Sequence, residues 1–172
     1  MRKVLALATA TAAVALGLAA TPASADTALV TLPVGLSADT LSIAAPAAVV
    51  VPGDPATATI VTTVSDLRLT GGNWTATISA TDLTLAGTTE KILASSMTAY
   101  SAVTTGPLLG TATLSTPYSS SAQLTLSNSA QNFVSTTARN NANTTIYNTV
   151  VSIPTTGKTA GVYTGNVVQS VS

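Results

Sequence analysis

The chain has 172 residues, of which 46% are hydrophobic and only 7% are charged, and its six basic residues balance six acidic ones. It contains no His and no Cys, which removes the commonest general base, the thiolate nucleophile, disulfide bonds and the soft metal ligands. So few, balanced charges also provide no basic patch for nucleic acid. We therefore expect no catalytic residue, no metal and no cofactor.

The N-terminal 25 residues have the three parts of an export signal. Arg2 and Lys3 provide positive charge, an apolar run extends from Val4 to Ala20, and a segment of small residues ends at Ala25. This pattern predicts a signal peptide that is cleaved after Ala25. A transmembrane anchor is disfavoured because the run is Ala-rich, is interrupted by Thr and ends at an Ala-x-Ala site instead of at flanking charge.

The predicted mature part, residues 26–172, is long enough for one domain with one core. Four basic residues against six acidic ones give it a formal charge of −2. Helical periodicity is nearly absent, and short segments rich in Val, Ile, Thr and Tyr alternate with Gly, Pro, Asn, Asp and Ser clusters. This pattern predicts an all-β fold, a sandwich or a barrel, and we expect a single antiparallel β-sandwich. The predicted strands are Thr27–Leu32, Leu41–Ala44, Ala48–Val51, Ala56–Val64, Asn73–Thr81, Met97–Val103, Gln123–Leu126, Thr144–Ile153 and Val162–Val171.

The unusual side chains are concentrated in the segment Ser65–Leu85, which holds Asp66, Arg68 and the single Trp, Trp74, around a Gly-Gly pair. The turn residues predict a β-hairpin here. Asp66 and Arg68 then share one face, where a two-pronged ion pair would hold the guanidinium over the indole of Trp74. Two interpretations of Trp74 remain: a core residue, or a partly exposed platform for a sugar or peptide.

Strand Asn73–Thr81 alternates cleanly, so that Trp74 and every second residue after it share one face with Thr and Ser on the other. The segment Ser135–Thr145, by contrast, is polar, Asn-rich and without apolar period, and we predict a long loop or crossover there. In the final strand, Tyr163, Val167, Gln169 and Val171 share one face, and we expect this strand to be paired in a sheet.

Two blocks carry a resemblance to a known family. The run Ser65–Arg68 followed by Gly71–Thr75 resembles the central motif of WxL domains, cell-surface modules of Gram-positive bacteria that carry Asp-x-Arg before a first Trp-x-Leu. The blocks Ser152–Pro154 and Ala160–Gly165 are similar to the approach to a second Trp-x-Leu. The two tripeptides themselves differ here, as the first reads Trp-Thr-Ala and the second Gln-Ser-Val.

The resemblance implies an Ig-like or WxL-like β-sandwich and noncovalent attachment to peptidoglycan. We accordingly expect a secreted, non-enzymatic protein of the cell wall or cell surface that binds peptidoglycan or other surface proteins, with no membrane span after processing. The residues expected to matter, as framework first and contact surface second, are Trp74, Arg68, Asp66 and Tyr163.

An alternative of another class stays open. Thr-rich strands with few charges to guard their edges are typical of subunits that associate by edge-strand pairing. The Ala-Gly-x-Tyr ending is also similar to that of pilin-like and spore-coat-like β subunits. The chain would then be a self-assembling subunit of a surface layer, pilus or spore coat.

Overall fold

The computed structural model describes residues 8–18, 27–29, 41–45, 47–68 and 72–172. These residues form one 3₁₀ turn, Ala94–Ser96, and twelve strands. The strands are β1 (Ala8–Leu18), β2 (Thr27–Leu29), β3 (Leu41–Ala44), β4 (Ala47–Val51), β5 (Ala56–Asp66), β6 (Thr75–Ala80), β7 (Leu83–Leu85), β8 (Lys91–Ile92), β9 (Thr98–Ser115), β10 (Leu124–Thr125), β11 (Gln131–Ile153) and β12 (Gly161–Val171).

The strands form two antiparallel sheets that pack together, which confirms the predicted all-β sandwich. Pairing joins the strands in the order β2-β4-β5-β11-β6-β12-β7-β8, so that β5 lies on one side of β11 and β6 on the other. In addition, β1 pairs with β12, β3 with β5, β9 with β11 and β10 with β9. No helix in the described part of the chain has the length and apolar character needed to cross a membrane.

The period-two pattern of the sequence places the core between the sheets. Along β5 the side chains alternate from buried Ala56 to buried Asp66, with every second residue between them more exposed. β6 alternates in the same way, and Trp74, which precedes it, is fully buried. The largest fully buried side chains include Trp74, Tyr147, Tyr163 and Phe133, and the Phe133 ring stacks on Tyr118 with ring centroids 6.0 Å apart.

Strand β11 connects the two sheets. Its first residues, from Gln131 to Ser135, pair with β6, and its last eleven, from Asn143 to Ile153, pair with β5. β9 pairs with β11 from Ser135 to Ser152, with register shifts that include one between Asn140 and Thr144. Such irregularities bend a strand, so β11 can leave one sheet and enter the other.

The predicted hairpin in Ser65–Leu85 is wrong for this reason. β5 and β6 are consecutive strands, but β11 lies between them in the strand order and takes the hydrogen bonds that the hairpin would have used. The predicted loop Ser135–Thr145 is wrong as well, because it forms the middle of β11. Its small polar side chains fit a strand: Thr136, Asn143 and Thr145 are buried, and β-branched Thr favours the pleated conformation.

The final strand has the predicted face: Tyr163, Val167, Gln169 and Val171 are all buried. Gly165 lies where no larger residue fits, since a Cβ there would be 2.8 Å from the backbone oxygen of Asp82. β12 pairs with β6 and β7 on one side and with β1 on the other. β1 belongs to the predicted signal peptide, and the predicted cleavage site at Ala25 and the predicted strand residues 30–32 lie outside the described residues.

Candidate functional site

Four residues meet where β11 passes from one sheet to the other, and we call them the arginine clamp: Asp66, Arg68, Gly72 and Arg139. Asp66 is the last residue of β5 and pairs with Asn143 of β11. Arg139 lies in the part of β11 between its pairing with β6 and its pairing with β5. Arg68 and Gly72, which lie between β5 and β6, are therefore beside the crossing.

Asp66 and Arg68 form the two-pronged ion pair that their spacing predicts. Nε of Arg68 donates to Oδ1 of Asp66 at 2.8 Å, and Nη2 donates to Oδ2 at 3.0 Å. The backbone N–H of Arg68 also donates to Oδ1 at 3.1 Å. Asp66 thus fixes both the side chain and the backbone of the residue that leaves the strand.

Arg139 completes the clamp from the opposite strand. Its Nη1 donates to Oδ2 of Asp66, its Nε donates to the Gly72 carbonyl at 2.9 Å, and its Nη1 and Nη2 donate to the Arg68 carbonyl at 3.2 and 3.1 Å. These contacts fasten β11 to the end of β5 and to the chain that leads to β6.

Sequence reasoning missed Arg139, because it lies 73 residues from Asp66 in a segment predicted to be a loop. A signal was present: Arg139 is the only charged residue between Lys91 and Lys158. A lone cation in so long an uncharged stretch needs a carboxylate partner if it is buried.

Burial makes the clamp a framework element. Asp66 is fully buried, Arg139 exposes 3% of its side chain and Arg68 exposes 18%. One carboxylate is therefore shared by two guanidinium groups, only one of which reaches solvent appreciably. Removing a partner from a buried ion pair is costly because it leaves an uncompensated charge.

Trp74 is fixed beside the clamp but is not part of its surface. It exchanges two hydrogen bonds with Thr136 of β11: its backbone N–H donates to Oγ1 at 2.9 Å, and its carbonyl accepts from the Thr136 N–H at 3.0 Å. The side chain is fully buried, and within the described part of the chain its Nε1 has no hydrogen-bond partner. This conformation does not present the indole as a platform for a sugar or a peptide.

The stacking of Arg68 on Trp74 stays a prediction. The guanidinium of Arg68 contacts Asp66 and, at 3.4 Å, the Gly72 carbonyl. The charge-assisted bonds to the carboxylate set its position.

Tyr163 lies apart from the other three candidates. It pairs with Leu85 near the start of β12, whereas Val171 at the opposite end of β12 pairs with Ala76, close to Trp74. The side chain is buried and its hydroxyl donates to the Thr159 carbonyl at 3.1 Å. Burial raises the pKa of Tyr163, and the neighbouring Glu90 raises it further, so the hydroxyl stays protonated.

A second buried polar group, also missed from the sequence, links the sheets. The Tyr147 hydroxyl on β11 donates to Oε1 of Gln169 on β12 at 2.9 Å, and Nε2 of Gln169 donates to Oγ1 of Thr62 on β5 at 3.0 Å. Burial raises the pKa of Tyr147 and keeps its hydroxyl a donor. We call these three residues the intersheet bridge.

Among the described residues, no three Asp or Glu side chains come together as metal ligands. No protein-family model matches the chain, and no curated protein or solved structure matches it either. The geometry of the clamp, the bridge and the strand edges is therefore what bears on function.

Proposed function

We propose that the chain is an exported, non-enzymatic protein of the cell surface that adheres noncovalently to peptidoglycan or to other surface proteins. The observation that carries the proposal is that each charged side chain of the described residues is engaged in a contact within the chain. Charge serves the fold, and the surface that remains acts through neutral hydrogen bonding.

The charges outside the clamp illustrate this. Asp82 accepts from the Ala94 N–H at 2.9 Å and lies 3.7 Å from Nζ of Lys91. Lys158 donates to the Lys91 carbonyl at 2.7 Å, and Glu90 accepts from the Thr159 N–H at 3.1 Å. These contacts join strand ends to neighbouring turns, which is a structural use of charge.

The outward faces supply many hydroxyl groups instead. Between its buried residues β5 presents Thr57, Thr59, Thr63 and Ser65, and β6 presents Thr75, Thr77 and Ser79. A hydroxyl both donates and accepts hydrogen bonds, which suits a polymer of sugar hydroxyls and peptide amides. With a formal charge of −2 on the predicted mature part, such adhesion would depend little on salt.

The resemblance to WxL domains supports the same proposal. The two tripeptide positions lie next to each other on paired strands, because Ala76 of β6 is opposite Val171 of β12. The Asp-x-Arg motif has a physical role as the clamp that ends β5 and leads the chain toward Trp74. In this chain the positions of the second Trp and of the first Leu are taken by buried Gln169 and Ala76.

A sedimentation assay tests wall adhesion. The exported protein is mixed with peptidoglycan sacculi and pelleted, and we expect saturable binding that persists when salt is raised. Protein that stays in the supernatant at every sacculus concentration would contradict wall adhesion.

Arg68→Gln and Lys158→Gln form a matched pair for locating the contact surface. Arg68 is the most exposed side chain of the clamp, whereas Lys158 is a half-buried cation elsewhere, and each variant loses one positive charge. If the clamp end touches the polymer, Arg68→Gln binds more weakly and Lys158→Gln binds as the wild type does. Equal loss in both would show that charge in general, not the clamp, is responsible.

A self-assembling surface subunit is the second candidate, and one observation favours it. The outer edge of β12 is covered by β1, a strand that the predicted export processing would remove. Sheet edges that lose their neighbour are templates for pairing with another chain.

A further inference from the structure

The edge of β12 is covered along its whole length by β1. The register pairs Ala8 with Val171 and continues without interruption to Leu18 opposite Gly161. On its other side β12 pairs with β6 and β7. Of the two neighbours, the one at the outer edge comes from the predicted signal peptide.

The hydrogen-bond pattern shows which backbone groups β1 covers. Even-numbered residues of β12 face β6 and β7: the Asn166 carbonyl accepts from the Thr81 N–H at 2.9 Å, and the Val162 carbonyl accepts from the Ala86 N–H at 3.0 Å. Successive residues of a strand direct these groups to opposite sides. The odd-numbered residues from Gly161 to Val171 therefore direct their N–H and C=O groups toward β1.

Without β1 this edge would lack the features that usually protect an edge strand. Natural proteins use charged residues, Pro or bulges to prevent edge pairing. Residues 161–171 contain no charged residue and no Pro, and the pairing with β1 and with β6 shows no register shift. Such an edge is prone to pair with another strand.

We propose that, in the processed chain, this edge pairs antiparallel with the same edge of a second copy, about a two-fold axis at Asn166. The inference rests on the second candidate function, and on removal of the leader that contains β1. In the unprocessed chain β1 occupies the edge, so processing would control assembly.

A second copy fits because β12 is self-complementary in this register. Tyr163 lies opposite Gln169 of the second copy and Gly165 lies opposite Val167, so residues of the buried face meet residues of the same face. A shift by one residue would place buried-face residues opposite solvent-face residues. The odd-numbered residues of one copy also exchange hydrogen bonds with the odd-numbered residues of the other. Because the contact has two-fold symmetry, it is closed with two copies.

Cysteine cross-linking tests the register, since the chain has no Cys of its own. Asn166 lies opposite Ala13 in the unprocessed chain, and in the dimer it would lie opposite Asn166 of the second copy. In each of these two pairs the residues are not directly hydrogen-bonded to each other, and their Cα atoms lie about 4.5 Å apart. This distance is within the ~4.4 to 6.8 Å that disulfides span.

The unprocessed full chain carrying Ala13→Cys and Asn166→Cys is expected to form an intramolecular disulfide and to remain monomeric. The exported chain carrying Asn166→Cys alone, with leader removal verified by mass spectrometry, is expected to form a disulfide-linked dimer on mild oxidation. Circular dichroism verifies the β fold of each variant.

Val168→Cys is the matched control, since Val168 is half-buried like Asn166 and lies two residues along the same strand. In the proposed register it faces Thr164 of the second copy, and the two Cys residues would be four positions apart, about 14 Å. We expect no cross-linked dimer from this variant. Equal dimer from both variants would mean random collision and would overturn the register.

The wild-type exported protein provides a measurement without substitutions. Sedimentation over a range of concentrations is expected to show a monomer–dimer equilibrium, whereas a monomer at every concentration, or an exported chain that retains its leader, would overturn the proposal. Sacculus adhesion is measured separately on the same protein, so failure of assembly and failure of adhesion can be told apart.

Discussion

Strands β5 and β11 pair over eleven residues, from Asp66 opposite Asn143 to Ala56 opposite Ile153, and an aspartate lies at each end. At one end Asp66 is buried between Arg68 and Arg139. At the other end Asp54, just before β5, is exposed and accepts hydrogen bonds from Thr155 and Thr156, just after β11. An aspartate side chain thus makes contacts at each end of the β5–β11 pairing.

The difference between the two ends is solvent. A buried carboxylate that loses its cations, or a buried cation that loses its carboxylate, has no water to replace the partner. An exposed carboxylate that loses a hydroxyl donor is solvated at once, so little free energy changes. The clamp is therefore expected to determine whether β11 stays in both sheets, while the Asp54 end adjusts stability only slightly.

Asp66→Asn should have the largest effect, because it removes the buried carboxylate charge that Arg139 and Arg68 contact. Loss of one partner of a buried pair costs about 3 to 5 kcal/mol in the free energy of unfolding, measured by urea titration of the circular dichroism signal. Asp82→Asn is the control, as Asp82 pairs with Lys91 at the surface and should lose less than about 1 kcal/mol. Equal losses would show that burial does not distinguish these carboxylates.

Tyr147→Phe tests the middle of the same ladder, where Tyr147 is opposite Thr62. It removes the donor to Gln169 and leaves a buried amide oxygen unpaired, at a cost of about 1 to 3 kcal/mol. Tyr118→Phe, which keeps the ring stacked on Phe133, should change the unfolding free energy by less than about 0.5 kcal/mol. A Tyr147→Phe protein as stable as the wild type would remove the intersheet bridge from the forces that hold the sheets together.

The features that depend on residues close together in the chain follow from the sequence. Alternation predicted which residues share a face in β6 and β12, because side-chain direction along a strand depends on position parity alone. The ion pair of Asp66 with Arg68 followed from a spacing of two residues. Both inferences use residues that are close together in the sequence, where geometry is nearly fixed.

The contacts between segments that are distant in the chain did not follow from the sequence. Arg139 reaches Asp66 because β11 lies between β5 and β6, and a pattern that reads Ser135–Thr145 as a loop cannot place a strand there. The turn residues between β5 and β6 favoured a hairpin. In the fold, β11 pairs with the edges of both strands instead. Pairing between distant segments depends on competition among all the edges, which local propensity does not measure.

The extent of burial was the other open question. Trp74 and Tyr163 were expected to serve as framework or as contact surface, and both are fully buried. The alternation of residues along a strand shows which face a residue occupies. It does not show how completely the opposite sheet covers that residue. Trp74 exchanges hydrogen bonds with Thr136 of β11, a strand that the sequence pattern did not place beside it.

Asp54→Asn is expected to give the smallest effect, visible only in acid. The hydrogen bond from the Thr156 hydroxyl, followed by those from Thr155, holds the pKa of Asp54 below its usual value of 3.8. Because the folded-state pKa is depressed, this contribution to stability is present above the unfolded-state pKa and is lost as pH falls through the folded-state pKa. Asp54→Asn should therefore lower Tm slightly at neutral pH and leave it nearly unchanged in strong acid, where the wild-type carboxyl is itself protonated. Thermal melts of both proteins across this pH range measure the difference, and a larger deficit in acid than at neutral pH would contradict the assigned direction of the shift.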